Sequence, residues 1–230
     1  MMRRLATLVC LLAVAVPAHA DDDDIRYNQF RLSAQQSESV SNDTMHVTLN
    51  TYAEMQDAAK LATRINGEME WALNIAKQYP DVKVSTGSYQ TWPVTRKEVT
   101  SAWRGQQDLM LESKDTEKLG KLSARLQEKL KIKSMSFSVS DEKRMAVENR
   151  LIDAALDAFK QRADIIGKNL KASGYRFVDV NVGTSAQRPP VMYQARMASV
   201  SMEANDSVAV EGGESDIQVT VSGSVELQIP

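Results

Sequence analysis

The residue types that most often perform catalysis are scarce in this chain of 230 residues. It has one cysteine, Cys10, and two histidines, His19 and His46. Cys10 and His19 lie in an N-terminal segment that we expect to be removed, so His46 is the only imidazole base left. A serine–histidine–aspartate triad would have to use this residue. His46 alternates with the apolar Met45 and Val47, so a solvent-facing position on a strand explains it more simply.

The sequence contains no other recognisable catalytic or metal-binding motif. There is no G-x-S-x-G elbow, H-E-x-x-H helix, P-loop or G-x-G-x-x-G loop. The four aspartates at 21–24 lack the glycine turn and distal glutamate of a calcium loop, which favours a solvated leader. Nonlocal carboxylate pairs leave no sequence trace, so a hydrolase built from carboxylates stays open as an alternative. We predict no catalytic residue, no metal site and no cofactor.

Large apolar side chains are the remaining candidates for contact with a ligand or a subunit. Trp92 and Trp103 bracket a polar run that we interpret as a long hairpin loop, where they would line a pocket or a subunit contact. Met192, Met197 and Met202 recur at intervals of five, as in an adaptable apolar interface or a set of oxidisable sites. For the two tryptophans, packing at the base of the hairpin is the simpler explanation. For the three methionines, it is ordinary packing within a strand.

Composition and the N-terminal residues predict the compartment. The formal net charge of −2 and the pI near 5.8 argue against nucleic-acid binding. Arg3 and Arg4, the apolar run 5–16 and the small residues before Asp21 form a signal peptide, residues 1–20, cleaved after Ala20. No later apolar run reaches membrane-spanning length, so we expect an exported, periplasmic protein without an integral membrane span.

Hydrophobic periodicity predicts an α+β fold. Between residues 44 and 140, period-two and period-3.6 segments alternate in the order βαββαβ, which is the ferredoxin-like arrangement. The first helix has a stripe from Met55 to Ala76, and Asp115 caps the second. The remainder, residues 141–230, comprises a long helix capped by Ser140 and reaching about Ala172, followed by strands. Residues 177–182, 192–202 and 217–229 are predicted strands, the last of them beside the N-terminal strand.

The chain resembles the SIMPL-domain family of exported bacterial proteins, which includes a periplasmic immunogenic antigen. The resemblance rests on four segments of the mature chain, residues 21–230: VSNDTMHVTLNTYAE, DTEKLGKLSARL, MSFSVSDEKRMAVENRLIDAALDAFKQRADIIGKNL and VEGGESDIQVTVSGSVELQI. It implies an α+β fold, assembly into homo-oligomers and a link to envelope or oxidative stress. It carries no catalytic residues.

Two functions follow as expectations from the residues and the resemblance. The first is a non-enzymatic periplasmic protein that self-associates, with a protective or scaffolding role in envelope or oxidative stress. The alternative is a periplasmic module that binds a ligand or partner through the loop between Trp92 and Trp103.

Overall fold

The computed structural model describes residues 27–186 and 212–230. These residues form two antiparallel sheets, one of four strands and one of three, with helices packed on them. The mixture confirms the α+β class. In chain order the elements are β1 (Gln29–Ser41), β2 (Thr44–Met55), α1 (Ala58–Ala76), β3 (Lys83–Arg96), β4 (Val99–Ser113), α2 (Thr116–Leu126), β5 (Lys131–Ser138), α3 (Asp141–Asn169), β6 (Gly174–Ala186) and β7 (Glu214–Gln228).

The four-stranded sheet has the order β3-β4-β2-β5, and every neighbouring pair is antiparallel. Together with α1 and α2, this order confirms the predicted ferredoxin-like unit. Both helices pack on one face of the sheet, and no described helix covers the other face, which we call the open face. The fully buried side chains between the helices and the sheet include Leu49, Leu109, Leu111, Leu119 and Leu122.

The first helix begins later than its stripe predicted. Asp57 is the N-cap, and its carboxylate accepts hydrogen bonds from the amides of Ala59 and Lys60 at 2.8 and 3.1 Å. Met55 belongs to β2 instead, where it pairs with Trp103. Met55 is apolar and lies at the end of β2, at a spacing that happens to match the helical period of α1.

The predicted long loop between Trp92 and Trp103 is wrong. Both strands of the hairpin continue through this region, and only Lys97 and Glu98 connect them. These two residues have φ values of 49° and 63°, as the mirror-image turns of tight hairpins require. Such turns usually contain asparagine or glycine, and neither is present at these two positions, so the sequence pattern did not indicate a tight turn. Pro93 is tolerated because β3 is an edge strand.

The second sheet has the order β1-β7-β6, again antiparallel. β7 is its central strand and pairs with β1, which confirms the predicted position of the final strand beside the N-terminal one. The helix α3 packs on this sheet through a stripe of buried residues: Val147, Leu151, Ala155, Phe159, Ala163 and Gly167.

The two sheets meet where β1 passes into β2. Asn42 donates its backbone N–H to the carbonyl oxygen of Gly213 at 3.0 Å, and the Asp43 carboxylate accepts from the backbone N–H and hydroxyl of Ser140 at 2.6 and 2.8 Å. Burial opposes ionisation of Asp43, but hydrogen bonds from Ser140 and Thr44 and the charge of Lys143 outweigh it and lower its pKa. Ser140 is the N-cap residue of α3, as predicted, but its hydroxyl bonds Asp43.

Candidate functional site

Within the described residues the two sheets end in four edge strands, β1, β3, β5 and β6. An edge strand exposes unpaired backbone groups, and proteins block such edges with lysine, proline, short length or covering side chains. β5 has only 8 residues and carries Lys131 and Lys133. β3 carries Lys83 and Pro93. Both edges of the four-stranded sheet are therefore protected.

The β1 edge of the three-stranded sheet is protected by long basic side chains from α3. Arg162 donates to the carbonyl oxygen of Ser33, and the Lys143 ammonium group lies 2.8 Å from the carbonyl oxygen of Ser41. Between them the Arg150 guanidinium group donates a hydrogen bond to the carboxylate of Glu38 on the same strand at 2.6 Å. These cations lie against the strand along most of its length and would meet any approaching chain first.

The fourth edge strand, β6, is the least protected of the four, since its one basic residue, Arg176, is bonded to Glu226 of the neighbouring β7. Its 13 residues include neither lysine nor proline, and no described strand pairs with its outer side. Four large apolar side chains on it are exposed to solvent, and we name them the β6 strip: Phe177 (47%), Val178 (41%), Val180 (43%) and Val182 (41%). An unblocked apolar edge of this length is typical of a surface that pairs with another strand.

The β6 strip is exposed because α3 covers only two of the three strands. The helix packs mainly on β1 and β7, where Val221 is fully buried. Val182 lies directly opposite Val221 in the sheet, and Val180 lies opposite Gly223. Side chains directly opposite each other share a face, so Val180 and Val182 extend the apolar face under α3 beyond the helix.

Aromatic contacts hold the first residues of β6 against α3. The ring of Phe177 lies 6.0 Å from that of Phe159 and 5.5 Å from that of Tyr175. Burial raises the pKa of the Tyr175 hydroxyl, and a hydrogen bond to Asp164 on α3 raises it further. The ladder with β7 is irregular between Phe177 and Asp179, which places a β-bulge at the start of the strip. The strand is thus fixed at one end and uncovered along its middle.

The structure does not bring the two predicted tryptophans together. Trp92 lies opposite Arg104, and Pro93 lies opposite Trp103, so successive side chains alternate and the two indoles point to opposite faces of the hairpin. Trp103 packs against the start of α1, whereas Trp92 is half-buried on the open face of the sheet. Two cavities of about 360 and 270 Å³ lie elsewhere, and neither is lined by a tryptophan.

The other predicted contact residues, Met192 and Met197, lie outside the described residues, as do the predicted signal peptide and the predicted strand 192–202. The β6 strip was not among the predicted site residues. Its strand was expected at 177–182, but the alternating valines did not indicate that one helix would leave this strand uncovered.

The family of the chain follows from a comparison with protein-family models. The SIMPL model, described as "Protein of unknown function (DUF541)", matches residues 30–225. The chain belongs to the SIMPL family. The matched residues begin in β1 and end in β7, which confirms the resemblance seen in the sequence. A comparison of this SIMPL chain with curated proteins found no match.

The SIMPL description names no activity, so a functional argument has to rest on the contacts of this chain. None of the helices in the described part of the SIMPL chain is long and apolar enough to cross a membrane. Nor do residues 27–186 and 212–230 contain three histidine, aspartate or glutamate side chains placed to hold a metal ion.

Proposed function

We propose that this SIMPL protein is exported to the periplasm and self-associates by pairing the β6 strands of two copies, a function that itself needs no catalytic residue. The observation that carries the proposal is the contrast among the four described edge strands. Three are blocked by lysine, proline or covering cations, whereas β6 has none of these blocks and presents four exposed large apolar side chains. The occupant that we assign to this edge is a second copy of the chain.

A twofold arrangement of two copies satisfies the chemistry of the edge. With β6 of one copy antiparallel to β6 of the other, the same surface serves both subunits, as in most protein dimers. The outer backbone groups of both strands gain hydrogen-bond partners. Val180 and Val182 of one copy then lie near the strip of the other. Covering the exposed part of each such side chain contributes on the order of 1 kcal/mol.

The physiological part of the proposal is a protective or scaffolding role in envelope or oxidative stress. The family resemblance and the predicted signal peptide support it. Cells lacking the protein should survive peroxide or envelope-damaging agents less well than cells that carry it. Restoring the wild-type chain should recover survival, whereas Val180→Lys at the same abundance should not. Equal survival of cells with and without the protein would contradict this role.

Sedimentation velocity of the mature chain, residues 21–230, tests self-association. At micromolar concentration we expect the wild-type protein to sediment as a dimer or larger species. Val180→Lys places a charge at the centre of the paired edges, where burying an unpaired ammonium group is unfavourable, so this variant should sediment as a monomer. The matched control is Val99→Lys, since Val99 is an exposed β4 valine beside the hairpin turn. It should sediment like the wild type.

Two results would overturn the proposal. One is a wild-type protein that is a monomer at every concentration, which is also the outcome expected if the chain's own residues 192–202 cover β6. The other is an oligomer whose mass Val180→Lys leaves unchanged, because association would then use a different surface.

The β3–β4 hairpin favours the alternative function, binding of a ligand or partner. The pairing of β2 with β4 ends at Trp103, so the hairpin continues past β2 as a two-stranded arm on which Val99 is 68% exposed. Trp92 is the better probe of this arm, because Trp103 packs against α1 and its removal would also disturb the core. Adding envelope peptides and metabolites should change the tryptophan fluorescence of the wild type but not that of Trp92→Phe. A wild-type signal that no compound changes would contradict this function.

A further inference from the structure

A serine and a histidine lie within hydrogen-bond distance on the open face of the four-stranded sheet. Nε2 of His46 on β2 lies 2.8 Å from Oγ of Ser138 on β5. On the other side of the ring, Nδ1 lies 3.8 Å from Oε2 of Glu112 on β4. The other carboxylate oxygen of Glu112, Oε1, lies 2.9 Å from Nζ of Lys83 on β3. A nucleophile, a base and a carboxylate are thus arranged in one line across the sheet.

The strand order explains how residues so distant in sequence meet. β2 lies between β4 and β5, so a side chain on its open face has one neighbour on each side. His46 lies opposite Glu112 on β4 and Ser136 on β5. Ser138 lies one side chain further along the same face of β5. The imidazole is 38% exposed and borders a cavity of about 270 Å³ on its β4 side. Ser138, on the β5 side of the ring, does not line this cavity, and is half-buried with part of its surface exposed to solvent.

The contacts match the requirements for an activated serine. A serine hydroxyl becomes a nucleophile when a base within hydrogen-bond distance takes its proton, and a third group commonly orients the base. The Glu112 carboxylate lies 3.8 Å from Nδ1, beyond direct hydrogen-bond distance, and its negative charge favours a proton on that nitrogen. Nε2 is then the acceptor of the Ser138 hydroxyl proton. Such arrangements are recognised by geometry and not by sequence position.

We propose that Ser138 is a nucleophilic serine, activated by His46, that accepts acyl groups from activated esters. This activity goes beyond the proposed self-association and does not depend on it. In the first step Oγ of Ser138 bonds to the carbonyl carbon, the bond to the leaving oxygen breaks, and the hydroxyl proton passes through Nε2 to the leaving group. Water then attacks the acyl carbon, releases the acid and returns a proton to Oγ.

The surroundings restrict the substrate to esters with a good leaving group. The backbone amides of β2 are paired on both sides, those of β5 lie in the plane of the sheet and not on its face, and the nearby ammonium group of Lys83 is bound by Glu112. No described group is therefore dedicated to stabilising the negative oxygen of the tetrahedral intermediate, a contribution that is large in specialised hydrolases. Aryl esters need less of this stabilisation, because the aromatic ring spreads the negative charge of the departing oxygen before the proton on Nε2 reaches it.

Covalent labelling of the mature chain tests the site. A fluorophosphonate probe reacts with activated serines, and peptide mass spectrometry identifies the serine that it modifies. We expect the label on Ser138 and hydrolysis of p-nitrophenyl acetate by the same protein. Ser138→Ala and His46→Gln should each lower this hydrolysis by about 100-fold, at the low end of what general-base assistance contributes. Ser136→Ala is the matched control and should react like the wild type.

The tautomer of His46 gives a readout that a purely structural role would not predict. The mature chain has one histidine, so nitrogen NMR of its imidazole gives one pair of signals. We expect the neutral ring to carry its proton on Nδ1 in the wild type, and to populate the other tautomer in Glu112→Gln, with slower ester hydrolysis. A wild-type ring protonated on Nε2 would overturn the proposal, as would a label absent from Ser138 or hydrolysis that Ser138→Ala leaves unchanged.

Discussion

The two edges of the three-stranded sheet differ in nearly every property that governs strand pairing. Both edge strands have 13 residues, and both pair with β7. On β1 the apolar side chains face α3, and Arg162 and Lys143 bond backbone carbonyl oxygens of the strand. On β6 the valines extend beyond α3 and no lysine is present. The same central strand therefore supports one closed edge and one open edge.

The position of α3 accounts for this difference. One helix covers about two strands of a sheet, since a helix is about 10 Å across and strands are about 4.8 Å apart. α3 lies over β1 and β7, so its basic side chains reach β1 and its apolar stripe buries β7. Among the described elements none covers the middle of the third strand, β6. The open edge is therefore a consequence of one helix on three strands, with Lys143, Arg150 and Arg162 of that helix bonded to β1.

The largest effect is expected from detaching β6. Gly223 on β7 lies where the bulge of β6 crosses close, and a Cβ atom there would overlap with the carbonyl oxygen of Asp179. Gly223→Val should therefore separate the two strands and lower the free energy of unfolding by about 3 kcal/mol, as measured by urea denaturation. It should also abolish self-association. Gly183→Ala is the control, because its added methyl group meets only an ordinary contact at 3.9 Å; equal stability of the two variants would contradict the account.

An intermediate effect is expected at the junction of the two sheets. Asp43→Asn keeps the side chain's shape but removes the charge that Ser140 bonds, and should cost about 1–2 kcal/mol of unfolding free energy at pH 7. If association uses β6 alone, sedimentation of this variant should match the wild type. An Asp43→Asn protein that keeps its secondary structure but sediments as a monomer would show that the junction also takes part in self-association.

The acid dependence of stability provides a separate test of Asp43. Its pKa is lower in the folded chain than the ordinary value of 3.8, so its ionised form stabilises the fold above pH 3.8, and this contribution is lost as pH falls through the lower folded pKa. The difference in unfolding free energy between wild type and Asp43→Asn should therefore narrow below pH 3.8. A difference that stays constant down to pH 2 would contradict the assigned hydrogen bonds.

The smallest effect on stability is expected from removing the cations that cover β1. Replacing both Arg162 and Lys143 with glutamine should cost less than about 1 kcal/mol, because both contacts are exposed. The opened edge should, however, add a second pairing surface, so that sedimentation shifts from a closed dimer toward longer assemblies. An unchanged sedimentation profile would show that cations do not protect this edge.

The sequence predicted those parts of the fold that depend on local periodicity. The alternation in β7 and the βαββαβ order follow from which residues are apolar, and the structure has them. The hairpin turn was missed because Lys97 and Glu98 adopt positive φ without the usual turn residues. The positions of Trp92 and Trp103 depend on strand register, and the exposure of the β6 strip and the meeting of His46 with Ser138 depend on tertiary packing. No periodicity in one chain encodes these properties.

Disulfide cross-linking tests the difference between the two edges most directly. The sole cysteine, Cys10, lies in the predicted signal peptide, so the mature chain can carry one introduced cysteine at a time. We expect Val178→Cys, Val180→Cys or Val182→Cys to form disulfide-linked dimers under mild oxidation, because residues near a twofold axis between antiparallel strands lie opposite their own copies. Ser37→Cys on β1, oxidised in the same way, should run as a monomer on a non-reducing gel on which the β6 variants run as dimers. Linked dimers from Ser37→Cys and none from the three β6 positions would contradict the account.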